Sequence, residues 1–154
     1  MTWTAFHRRA EILRTVTSSA DARRDGLLPM DVGGVRETFH DELALLAALQ
    51  LRWHTRLSGH LEHALLDGPT DPDAVVVRAW LETAAELPGV RLILDHYRAH
   101  PLHHAMAAAL RTAEAKEHVL LAASSGRSSS DVMATIGAGR ALEHRARARC
   151  RAAA

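Results

Sequence analysis

Four histidines, His96, His100, His103 and His104, fall within nine residues, and His96 and His100 stand four apart. Four residues is a little more than one helical turn, so the two imidazoles share a face, at the spacing that lets a pair of ring nitrogens reach one zinc or similar borderline ion. Asp95 stands beside the first of them, where a carboxylate can ligate the ion or orient a ligating ring. The competing reading is a solvated helix end. Pro101 interrupts the run, and imidazolium groups suit the C-terminal pole of a helix.

Carboxylates give a second line. Glu37-Thr38-Phe39-His40 matches the Glu-x-x-His half of a carboxylate-bridged di-metal bundle. Projected at about 100° per residue on the helix expected there, however, Glu37 falls opposite the apolar stripe and His40 lies well off it, so the motif faces solvent. A later helix supplies no second half, because Glu114 is followed three residues on by Glu117 and His118 falls one position late. In architecture the chain resembles ferritin-like and hemerythrin-like bundles, and the resemblance covers no complete ligand set.

Charged residues that land on apolar faces are more telling. Glu42 and His60 project close to the stripe of the second expected helix, and Glu117 lies on that of the fourth. Glu42 and His60 are eighteen residues apart, roughly 27 Å along one helix, which is too far for a shared site. Glu42 and Glu117 meet if their helices pack suitably. His7, Glu11 and Arg14 draw a further polar line along the first helix. A carboxylate buried alone is costly, so each such group needs an arginine, a histidine, an ion or water. The metal candidates are therefore His96, His100 and His103 at one place and Glu42 with Glu117 at another, with zinc or iron as the ion.

Other motifs carry less. Gly137-Ala138-Gly139 lacks the third glycine and the preceding strand of a dinucleotide site. Ser128 to Ser130 read as linker and helix cap. Arg140, Arg145, Arg147, Arg149 and Arg151 form a basic C-terminal tail, about 140–154, that complements a helix dipole. With no interleaved aromatics and a net charge of +1, nucleic acid is not an expected partner. The single cysteine, Cys150, excludes an intramolecular disulfide and any multi-cysteine metal site.

The elements that must position these residues are helices. The chain has 154 residues, 47% hydrophobic and only 4% aromatic, which suits a Leu-, Val- and Ala-built core of helix on helix. Thr2 is placed to cap a first helix running to Arg23 or Arg24, which Asp25-Gly26 and Pro29 break. From Asp31 or Gly34 to about Leu66, Val35, Phe39, Leu43, Leu46, Leu49, Trp53, Leu57, Leu61 and Ala64 recur in steps of three and four, which predicts one long helix. Asp67 to Pro72 form a loop, with Asp71 as cap and Pro72 in the first turn of a third helix. Pro88-Gly89 ends or kinks that helix, Pro101 opens a fourth, Ser124 to Ser130 link, and a last helix runs from about Asp131 to Arg149.

The expectation is one all-α domain over 1–154, an antiparallel bundle of four to five helices with one long central helix. No segment of about 18 apolar residues and no cationic leader stand in the sequence, which points to a cytoplasmic protein without a membrane partner. A long Leu-rich helix offers more apolar length than unequal neighbours cover, so the leading functional expectation is association, as a homodimer and without catalysis. The alternative is a metal-binding bundle using His and Glu ligands.

Overall fold

The computed structural model describes residues 3–66 and 68–153. Thr2 and Asp67, expected to cap the first helix and to open the first loop, lie outside the described residues. The described residues are all-α: α1 (Trp3–Arg23), α2 (Val35–Phe39), α3 (Glu42–Leu65), α4 (Pro72–Glu86), α5 (Pro88–Ala99), α6 (His104–Ser124) and α7 (Val132–Ala152), with no strand among them. They fall into two compact units, 1–53 with 87–110 and 54–86 with 111–154, so α3 and α6 each contribute to both.

In the first unit the helix expected over residues 34–66 is interrupted. His40 takes a left-handed φ of 65°, and the Asp41 side chain accepts from the Ala44 amide at 2.8 Å, capping a new helix. Val35 and Phe39 of the short α2 are fully buried, and the Asp41 N-cap favours a new helix two residues after α2 ends. Glu37 and His40 therefore do not lie on one continuing helix. Pro88 starts α5, as the sequence allows. Gly89 then lies directly on α1, where a Cβ would stand 2.2 Å from the Ala20 carbonyl carbon, and its amide donates to Asp21 Oδ1 at 2.8 Å. Leu45, Leu46, Leu49, Ile93 and Leu94 fill the core. The Arg91 guanidinium sits 4.5 Å above the Trp53 ring and 2.8 Å from Asp95, so a buried cation is held between an aromatic face and a carboxylate.

The second unit buries Leu57 and Leu61 of α3, Val76, Val77 and Trp80 of α4, Leu121 of α6 and Leu142 of α7. Asp71 caps α4 by accepting from the Ala74 amide at 3.1 Å, and Asp131 caps α7 by accepting from the Met133 amide at 2.9 Å. Asp73, in the first turn of α4, accepts from Arg127 Nε at 2.9 Å and from Arg145 Nη1 at 3.0 Å. That carboxylate thereby ties α4 to the α6–α7 linker and to α7.

The hydrogen bond from Arg127 is the main reason the Asp73 carboxyl is held below its ordinary value of 3.8. A lowered folded-state pKa means the ion pair stabilises the fold above the unfolded pKa and is lost as pH falls through the folded one. Asp73→Asn is expected to cost about 0.5–1 kcal/mol at neutral pH, a difference that closes once the native carboxyl is protonated. Urea denaturation of both proteins at neutral pH and near about pH 2 measures the two ends of that curve.

Candidate metal centre

Helices α6 and α7 approach each other at one glycine. A Cβ on Gly139 would stand 1.8 Å from the carbonyl oxygen of His118 and 2.4 Å from its carbonyl carbon, so no larger residue fits. Glu143 follows one turn later on the same face of α7, and its carboxylate arrives over the His118 ring, with Oε2 2.6 Å from Nε2. Both residues are buried. The other carboxylate oxygen, Oε1, accepts from Arg147 Nε at 2.9 Å, and Arg147 Nη2 lies 2.7 Å from it.

The polar line continues through the unit. The Arg147 guanidinium stands 5.1 Å from the Trp80 ring centre, and Trp80 Nε1 donates to Oε1 of the fully buried Glu117 at 3.1 Å. At its other end, half-buried Glu114 precedes His118 by four residues on α6. Glu114, His118 and Glu143 bring one ligand atom each to within 4.8 Å of one another, the only such trio of His, Cys, Asp or Glu among the described residues. His118 Nδ1 is buried without a hydrogen-bond partner.

This arrangement has the chemistry of a cation site. The carboxylates of Glu114 and Glu143 leave the group net negative even with the Arg147 guanidinium on one of them, and a cation would offset that charge. Oxygen and imidazole ligands without thiolate suit zinc, iron or manganese. Ligand bonds of about 2.0–2.2 Å set neighbouring donors roughly 3 Å apart, so the 2.6 Å between Nε2 and Oε2 needs only a slight opening once an ion replaces the shared proton. Arg147 occupies Oε1 and leaves Oε2 as the ligating atom, a second layer of contact that fixes the carboxylate.

The residues that the sequence singled out are placed differently. Glu117 is buried as its stripe position implies, but it turns to Trp80 rather than joining the trio. Glu42 begins α3 in the first unit, whereas Glu117 belongs to the second. The His96 and His100 rings do stack, with centres 5.3 Å apart, and His96 also meets Tyr97 edge-on at 4.9 Å. His103 is turned to its own backbone: its Nδ1 accepts from the Met106 amide at 3.2 Å and caps α6. His96, His100 and His103 thus do not gather as a trio.

The three-residue step of a Glu-x-x-His pattern does not pick out Glu114, His118 and Glu143. A four-residue step also keeps two side chains on one face. The available signal was that Leu110, Glu114, His118 and Ala122 recur every four residues, and that Glu143 flanks the line Thr135, Gly139, Leu142, Ala146. No protein-family description, curated protein or solved structure matches the chain.

Gly139 and Gly137 offer a matched contrast on α7. Around Gly137 nothing lies within 4 Å of an added Cβ, so Gly137→Ala should stabilise by up to about 1 kcal/mol through helix propensity. Gly139→Ala must push α7 off the His118 carbonyl and should destabilise by about 3 kcal/mol or more. Chemical denaturation of the two variants is the measurement, and a neutral Gly139→Ala would refute the close approach.

Proposed function

We propose that this chain is a metal-binding helical protein that holds one divalent first-row transition ion, zinc or iron(II) foremost, through Glu114, His118 and Glu143. The observation that carries the reading is the trio itself: three ligand atoms within 4.8 Å, two of the residues buried, and a close backbone contact at Gly139 one turn from Glu143. The ion would join α6 to α7, so binding energy would add directly to the stability of the second unit. The reading assigns no reaction. An antiparallel bundle about α3, and a cytoplasmic setting, belong to the same reading; no described helix is long and apolar enough to cross a membrane.

Metal-free protein titrated with zinc, and with cobalt(II) as a coloured stand-in, tests it. One ion per chain is expected, with a rise in Tm. Glu114→Gln, a half-buried position chosen so that the variant folds, should weaken binding by about 10–100-fold, and His118→Gln should remove it. Because the chain has eleven histidines, uptake that both variants leave intact would place the ion elsewhere and defeat the proposal, as would no stoichiometric uptake.

Self-association is a second reading, supported by one surface. Trp3 and Phe6, 78% and 60% exposed, stand one turn apart at the start of α1 with the His7 ring against both. Neighbouring exposed aromatic rings of this kind suit a contact surface. The length of α3 lends less support, because Leu45, Leu46, Leu49, Trp53, Leu57 and Leu61 are each buried within the chain. A homodimer by light scattering that reverts to monomer in Trp3→Ser/Phe6→Ser supports this reading, and a monomer at high concentration removes it.

A further inference from the structure

The outer face of α6 carries a feature that the metal reading does not use. Within the second unit, an open trough of about 760 Å³ lies along α6 from Arg111 to Ala123, bordered by His54 of α3 and by Val132 and Ile136 of α7. Its size falls within the range of about 300–1,000 Å³ that small-molecule sites occupy. The twelve helical steps from Arg111 to Ala123 make it roughly 18 Å long.

The cleft is polarised along its axis. Its first half presents Arg111 and Lys116, the only lysine in the chain, and its second half presents Val119, Leu120 and Ala123. No acidic residue lines it. Arg111 and Lys116 have no hydrogen-bond or ion-pair partner among the described residues. The apolar part is open to solvent, with Val119 38% and Val132 63% exposed. Two cations along the first half of an uncovered apolar trough are complementary to a molecule with an anionic head and a hydrocarbon tail, since the head meets the guanidinium and ammonium while the tail removes apolar surface from water.

We infer that this cleft is a binding site for a single-chain carboxylate amphiphile of the fatty-acid class, its carboxylate on Arg111 and Lys116 and its tail against Val119, Leu120 and Ile136. The trough shares no lining residue with the Glu114, His118 and Glu143 trio, which the same helix carries.

Calorimetric titration of the full chain with decanoate, below its micellar concentration, tests the inference, alongside decyltrimethylammonium and octyl glucoside as cationic and neutral counterparts. Saturable binding of one decanoate per chain is expected, with the two counterparts weaker by about tenfold or more. Arg111→Glu/Lys116→Glu and, separately, Val119→Asp change solvent-exposed side chains, and circular dichroism confirms that each variant folds. Both should lower decanoate affinity by about tenfold or more. Any of four results overturns the inference: no saturable binding, equal binding of the cationic amphiphile, variants that bind as the parent does, or a parent dimer that Arg111→Glu/Lys116→Glu dissolves. The last would give the face to a second copy of the chain.

Discussion

The packing of the second unit turns on a single backbone contact, the α7 main chain at Gly139 lying on the carbonyl of His118. Helices usually stand 8–10 Å apart because side chains separate them; removing the side chain at the crossing draws them together. One turn further on, that closeness places a carboxylate and an imidazole within 2.6 Å of each other in a buried setting. A charge taken out of water costs several kcal/mol unless it is met by partners. The rest of the polar line follows from that demand: Arg147 answers Glu143, Trp80 lies beneath Arg147, and Trp80 in turn donates to Glu117. Each of these groups is in place because the next one needs it.

Much of the fold is legible in the residue pattern. The steps of three and four from Leu46 to Leu61 mark buried positions one by one, and the residues concerned are buried. The stop at Asp25-Gly26 and the starts at Asp71 and Asp131 work through local chemistry, a left-handed glycine or a capping carboxylate, and local chemistry is what a sequence displays. The break at His40 is different. Nothing between Val35 and Leu46 forbids a helix, and the interruption depends on Val35 and Phe39 finding cover in the folded unit, which the apolar spacing alone does not encode.

The site was only half legible for a related reason. Glu117 can be recognised as a charged residue on an apolar stripe, but its partner comes from α4, 37 residues away. The histidines from His96 to His104 attract attention by density, yet density is a property of the chain, and ligation is a property of directions in space. His103 points its ring at the α6 amides. Gly139, read against a nucleotide-binding pattern, has its reason in the neighbouring helix.

Both units enclose an indole beneath a guanidinium that is also paired to an acid four residues away, Trp53 under Arg91 with Asp95 and Trp80 under Arg147 with Glu143. The third indole, Trp3, stands in solvent. Intrinsic fluorescence of this chain therefore divides by region. With Trp3 replaced by Phe, the remaining emission comes from one sheltered fluorophore per unit, each beside a cation whose departure alters its surroundings. A second replacement, at Trp53 or Trp80, leaves a single-colour reporter, so whether the two halves of the molecule melt together or in sequence is written in its own ultraviolet emission, without a label.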